Sequence, residues 1–563
     1  MYSIFYSLIL WMNKLFRVAS LAMILTLALG LLIPVMAQDD MMDWSMVSAE
    51  NCDYGGNILS IEAVDELTVQ FTLCTPDPAF PSKAAFAALN IHPSEHLEAT
   101  GGGGVELFEN PIGTGPYMLS NWDKGNEIVM TRFEDYWGEP AIEGTLIFRW
   151  NPEAAARLVE LQAGEADGID NIGPFDFELV ESDPNLALYE RPGTNVFYVG
   201  INNTVAPFDD VRVRQAVAYA IDRQRLVDNF YPNGSVAASQ FMPPSIFGFT
   251  PEVEAFPYDP AMATALLEEA AADLGFELPI STTISYRDVV RSYLPTPGIV
   301  AVDLQAQLAA VGIDVEITEM ESGAFLDASD AGELSLHLLG WGADYPDATN
   351  FLDFHFGAGS SDQFGEKFEE ITSPLTEAAQ IADPDTRYDI YVEANTAIRD
   401  LVPMVPIAHG GSGLAFSADI EGAQASPLGN EYFATMSDPD DDTFVWIQNG
   451  EPTGIYCGDE TDGEALRVCE QINESLLAYE IGGTAVVPSL ATEWSANEDS
   501  TVWTFNLREG VTFHDGSAFD SADVVASYAI QWDAASPLHV GRTGNFAYFS
   551  AFFGSPLNAP ADE

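Results

Sequence analysis

Thr501–Val525 reads TVWTFNLREGVTFHDGSAFDSADVV. Val502, Thr504 and Asn506 alternate with Trp503, Phe505 and Leu507, the two-residue period of a strand with one buried face. Glu509-Gly510 turns the chain, Val511–Phe513 is expected as a second short strand, and Asp515-Gly516 is a strong turn signal. Ser521 is expected to cap a helix over Ala522–Tyr528. A strand, a hairpin and a capped helix in 25 residues describe the edge of an α/β domain, and they lie near the end of a 563-residue chain.

The rest of the chain bounds what such a domain can belong to. With 47% apolar residues, 563 residues suffice for two or three domains with large cores. The formal net charge is −67, from 87 acidic and 20 basic residues, and the only lysines are Lys14, Lys83, Lys124 and Lys367. That balance excludes nucleic acid and anionic membrane surfaces as partners, because phosphate contacts need clustered Arg and Lys. It fits either an acidic surface suited to a salty medium or attraction of a cationic solute. Residues 1–37 read as a secretion signal: Lys14 and Arg17 are its charged region, Val18–Leu32 its apolar core, and Val35-Met36-Ala37 its cleavage site. The expected location is therefore the periplasm or the outer face of the cell membrane. An even count of four cysteines in an exported chain suggests disulfides. Of three possible connectivities, Cys52–Cys74 with Cys457–Cys469 is the expectation.

Several segments carry specific motifs. Thr501–Val525 and, upstream, Pro488–Trp494 (PSLATEW) resemble signatures of the family 5 extracellular solute-binding proteins, the peptide, dipeptide and nickel binders of ABC importers. Gly113–Tyr117 (GTGPY), Trp122, Ile128–Arg132 and Tyr136-Trp137-Gly138 resemble a second block of that family. Ala206–Arg223 (APFDDVRVRQAVAYAIDR) resembles a third, with an amphipathic helix over Val213–Ile221 capped by Asp209 or Asp210. There Arg212, Arg214 and Asp222 read as structural charges that anchor the helix. Tyr258–Ala271, Val302–Glu319, Leu336–Phe351 and Pro403–Ala408 follow in the family's order. In the family, however, the blocks at 488–525 come near the N-terminus; here they close the chain. Each block occurs once and in cyclic order, so the resemblance implies a circular permutation.

The resemblance implies an α/β, periplasmic-binding-protein-like fold of type II, peptide-binding cluster, with two lobes and an extra domain. The extra domain is expected from residues 52–112 and 475–556, lobe I from 113–205 and 405–474, and lobe II from 206–404. Strands Val69–Leu73 and Thr501–Leu507 should then share one sheet. Helix-then-strand units such as Val302–Glu319 favour a mainly parallel lobe.

No G-x-S-x-G, H-E-x-x-H or Walker motif is present, so no catalytic residue and no cofactor is expected. The leading site candidate is Asp344, in Gly340-Trp341-Gly342-Ala343-Asp344-Tyr345-Pro346 at the end of an apolar strand, where α/β lobes hold ligands. The resemblance implies that it pairs with a peptide's free α-amino group; the plainer reading is a loop carboxylate capping the turn before Pro346. Trp341 would wall the pocket, and Gly342, Tyr345 and Asn350 are further ligand-binding candidates. Glu451, in the Asn449–Thr453 turn, could meet a basic group. His92 and His96 have a metal-like spacing, but Pro93 argues against one helix face, and no metal is expected. His337 and His409 read as structural. The implied function is capture of an oligopeptide or similar solute by a monomer, delivered to an ABC permease. A secreted hydrolase with a carboxylate pair in the cleft is the competing class, a nickel- or haem-type binder another reading of the same fold, and a non-binding paralogue a third.

Overall fold

A computed structural model describes residues 42–560, apart from 174, 175, 288 and 290. The expected signal at 1–37 lies outside the described residues. Among the described residues, no helix is long and apolar enough to cross a membrane.

Three large sheets and one hairpin organise residues 44–560. The first is five-stranded and antiparallel, in the order Met46–Ser48, Ile58–Asp65, Thr68–Leu73, Val502–Leu507, Ala491–Ala496. The two strands expected to share a sheet do so, with Phe505 opposite Val69 and Thr504 opposite Gln70. Their alternation aims Val69, Phe71, Trp503, Phe505 and Leu507 into one core, which the helix Ser521–Trp532 covers with Val524, Val525 and Tyr528. Beside this sheet, segments 55–57 and 553–555 meet: Gly56 bridges Gly554, and Asn57 N donates to Phe553 O at 2.6 Å.

Local details differ from the sequence expectations. The helix cap is Asp520, in a reciprocal capping box with Asp523. Ser521 instead donates its hydroxyl to Asp65 O at 2.7 Å, tying the helix to the first sheet. Val511–Phe513 forms only a single bridge, Thr512 to Ala518, because Asp515 Oδ1 accepts from Ser517 N and Oγ and closes the turn at once.

The second sheet runs Val236–Ala237, Met404–His409, Asn195–Ile201, Leu336–Gly342, Ile280–Arg287, Ile313–Met320. The expectation of a mainly parallel lobe is corrected here. Ile280–Arg287 is parallel to both Ile313–Met320 and Leu336–Gly342, but Asn195–Ile201 runs antiparallel to both its neighbours. Asn195–Ile201 is buried at all seven positions, so it needs cover on both faces and both edges. That places it centrally in this sheet, although the expected boundaries group it with residues 113–205. The helix Val211–Ala220 is capped by Asp210. Arg214 donates to the carbonyls of Phe208 and Leu401, and Arg212 pairs with Asp210, Glu269 and Asp273, so both arginines anchor the helix. Asp222 caps the following helix, Arg223–Phe230.

The third sheet is seven-stranded: Tyr117–Asp123, Glu127–Arg132, Thr145–Trp150, Thr443–Gln448, Gly168–Ile169, Ser412–Ser417, Leu186–Arg191. Thr443–Gln448 inserts parallel to both neighbours. Disulfides join Cys52 to Cys74 and Cys457 to Cys469, the expected connectivity.

Candidate functional site

The inner strand Leu336–Gly342 of the second sheet runs out into residues that reach the other two parts: Ala343 and Asp344 line a cavity with Leu428 and Arg467, and Tyr345 joins the first-sheet core. Gly340 is required there: a Cβ would lie 2.3 Å from the Tyr293 ring and 2.5 Å from Val196 O. Beyond the strand, buried Asn350 holds the loop. Its Oδ1 accepts from Trp341 Nε1 at 3.2 Å and from Asp344 N at 3.0 Å, while its Nδ2 donates to Asp344 Oδ2 at 3.1 Å. Asn350 is thus a positioning residue for the Asp344 carboxylate.

Asp344 lines a cavity of about 70 Å³ with Phe86, Leu428, Asn430, Arg467, Glu470 and Tyr479. Among the described residues no cation pairs with Asp344, and burial raises its pKa above the ordinary range, partly offset by the Asn350 bond. Glu470 is on the helix Gly463–Ile472 and accepts from Asn430 Nδ2 at 3.2 Å. Burial lifts Glu470 to about 8, with the Asn430 bond opposing. Asn430, Glu470 and Tyr479 also line an adjoining cavity of about 260 Å³, which continues past Glu474 and Trp137 to the hairpin Leu477–Tyr479 and Val486–Pro488. Glu474 takes three hydrogen bonds, from Thr114 Oγ1, the Tyr136 hydroxyl and Trp137 Nε1, each at 2.8 Å.

Arg467, the basic residue on the smaller cavity's wall, is committed elsewhere. It pairs with Glu431 at 2.9 Å and Asp170 at 3.0 Å, and Arg191 bridges the same two acids at 2.5 and 3.0 Å. This closed ring of four charges is buried. Although burial opposes ionisation, Arg467 and Arg191 hold Asp170 below the ordinary carboxylate range.

The other sequence candidates are dispersed around this point. Trp341 stacks on Phe354, with ring centres 4.3 Å apart, and meets the His355 edge, so it packs within the lobe of the second sheet. Gly342 is exposed and faces open space. Tyr345 is buried; its hydroxyl accepts from Thr349 Oγ1 at 3.2 Å and its ring packs against Phe552. Glu451 accepts from Trp122 Nε1 and Gly125 N and is absent from the walls of both cavities. His92 is buried against the Tyr456 ring, and burial lowers its pKa to about 3. Among the described residues, the one group of three or more potential metal ligands is Asp419, Asp438 and Asp440, which includes neither His92 nor His96. Glu470, Asn430 and Tyr479 were not singled out by sequence, since Glu470 reads there as one acid of an ordinary amphipathic helix.

The site can therefore hold a positively charged group at Asp344 and extend an elongated solute into the larger cavity. The family profile described as bacterial extracellular solute-binding proteins, family 5 Middle, matches residues 34–363 and 485–545. The dipeptide-binding protein of Escherichia coli (strain K12) is 31% identical over 386 residues, 68% of this chain and 71% of that protein. The structure of HbpA2 from Haemophilus parasuis superposes with a TM-score of 0.64 at 30% identity, over 68% of this chain and 75% of that one. A dipeptide binding protein from Pseudoalteromonas sp. SM9913, in complex with Met-Leu, gives 0.51 at 26% identity over 68% and 76%.

Proposed function

The chain belongs to the bacterial extracellular solute-binding proteins of family 5, and from that premise we propose that it captures an oligopeptide or similar solute and hands it to a membrane permease. The observation that carries this reading is the Asp344 carboxylate: oriented by Asn350, raised by burial, without a cation among the described residues, and on the wall of a cavity that opens into a larger one. A peptide's α-ammonium would supply the missing charge. A charge-assisted hydrogen bond of this kind is worth about 1.5–3 kcal/mol. Trp341, Gly342, Tyr345 and Asn350 would act by holding the Asp344 loop, and Glu451 by shaping the neighbouring turn.

The same proposal has the protein exported and monomeric, with the lobe of the third sheet and the lobe of the second, to which Asn195–Ile201 and Met404–His409 belong, closing on the solute. The domain of 52–112 and 475–556 completes it. Its rotated block order is read as a circular permutation, supported by the meeting of segments 55–57 and 553–555. The decisive measurement is mass spectrometry of solute released from purified protein, combined with Asp344→Asn titrations. Free-amine peptides should lose more affinity than N-acetylated ones; equal losses would remove Asp344 from the site. The Asp344–Glu470 pair also invites the hydrolase reading. Bound peptide recovered intact after prolonged incubation supports the binder, and cleavage products would support the enzyme.

A further inference from the structure

Asp344 faces its cavity together with a second carboxylate that the peptide-amine reading leaves unused. Glu470 lines both the 70 Å³ and the 260 Å³ cavities and accepts a hydrogen bond from the Asn430 amide. Among the described residues it makes no ion pair. Arg467 on the same wall is held by Glu431 and Asp170, and Glu474 next door has three donors of its own. The remaining wall is largely apolar or aromatic: Phe86, Ala87, Leu428, Leu466 and Tyr479. A carboxylate in such a setting is costly unless a cation meets it, and the peptide-amine reading supplies a cation to Asp344 alone. Tyr479 is also fixed in place, since its hydroxyl donates to Ser82 O at 2.7 Å. Its ring therefore adds a stable face for a flat or compact cation near Glu470.

We propose that the cavity is built for two positive charges: a peptide with its free N-terminus on Asp344 and a lysine- or arginine-type side chain, from its first or second residue, on Glu470. This rests on the peptide-binding reading and adds the substrate's charge class to it. The raised protonation range of Glu470 fits, because the carboxyl stays largely neutral in the empty cavity and ionises when the cation arrives. The net charge of −67 would draw in any cation from a distance, but that attraction is screened at high salt, whereas a desolvated contact is screened much less.

Calorimetric titration of the full mature protein with Lys-Ala-Ala and Ala-Lys-Ala tests this against their norleucine counterparts, which keep the alkyl chain and lose the charge. One lysine peptide should bind at least about tenfold more tightly than its counterpart at about 0.15 M salt and keep most of that preference at about 1 M. Glu470→Gln should reduce the preference to within about threefold while the norleucine peptides bind as before. The inference is overturned if neither lysine peptide is preferred in the wild type, if the preference vanishes at high salt, or if it survives in Glu470→Gln. The wild-type comparison needs no variant, so poor folding of Glu470→Gln leaves the test standing. Norleucine peptides that bind in an Asp344-dependent way, with no gain from lysine, would sink this inference and leave peptide capture intact. No binding of any of the four peptides would sink both.

Discussion

Two groups of charge meet at Arg467, one fully buried and one partly buried on a cavity wall, and they are built in opposite ways. On one side, Asp170, Glu431, Arg191 and Arg467 close a ring in which each acid bridges both arginines. On the other, Asp344 and Glu470 share a cavity and have one side-chain amide partner each, Asn350 and Asn430. The ring is balanced within the fold and offers nothing to a ligand. The cavity wall is short of positive charge, and that deficit is what distinguishes a site from a structural ion cluster. Asp347 makes the same point three residues from Asp344: it is buried and pairs through both oxygens with Arg387, at 2.7 and 3.0 Å.

Exchanging a carboxylate for its amide should therefore act with opposite sign in the two regions. The largest effect is expected in the ring. Glu431→Gln leaves Arg191 and Arg467 with Asp170 alone and should cost about 3–5 kcal/mol in denaturant unfolding. A loss below about 1 kcal/mol would mean that the ring is not a structural unit. In the cavity, Asp344→Asn should weaken free-amine peptides by about 1.5–3 kcal/mol, roughly ten- to a hundredfold. The empty protein should be no less stable, because an uncompensated carboxylate has been removed; thermal unfolding without peptide checks this.

The comparison sharpens with pH. Glu470 has a folded-state value of about 8 against an ordinary 4.5, so the folded state holds its proton over a range where the unfolded state has lost it. Its contribution to stability is complete below about 4.5 and is lost as pH rises through about 8. Asp170, held low by Arg467 and Arg191, behaves inversely, and its contribution disappears only in strong acid. Glu470 should thus contribute about 2–3 kcal/mol to a loss of stability of the empty protein between pH 6 and 9, a window in which burial also places Glu474, Asp353 and Asp523, each at about 7; Glu470→Gln should remove its share of that loss and Asp170 substitutions should not. An unchanged pH profile in Glu470→Gln would contradict the desolvation of that side chain. The smallest effect concerns the support of the loop. Trp341→Phe keeps the stack on Phe354 but loses the indole bond to Asn350, and should cost about 0.5–1.5 kcal/mol of peptide affinity or stability.

Much of the architecture was legible because it is written in local periodicity. The alternation at 501–507 marked one inner strand of the first sheet, and Val69–Leu73 was expected beside it, where it lies. Asp344 was legible through its position after an apolar strand. Other features were not, because their partners are remote in sequence. Asp523, which makes Asp520 the cap, also receives the Ser94 N–H from 429 residues away. Trp341 was read as a pocket wall and Tyr345 as a ligand-binding candidate; the packing of their rings on Phe354 and Phe552 was not legible.

What the sequence by itself determined is the set of elements, their family likeness, the disulfide pairs and one candidate carboxylate. These follow from side-chain period, turn chemistry and short motifs, all properties of neighbouring residues. Only the tertiary structure decided the antiparallel centre of the second sheet and the closed ring around Arg467. It alone set Glu470 in one cavity with Asp344. The physical reason is that the state of a buried charge depends on what stands within a few ångströms of it. Arg467 is neutralised by Asp170 and Glu431, while Glu470, on the same helix, is left facing a cavity.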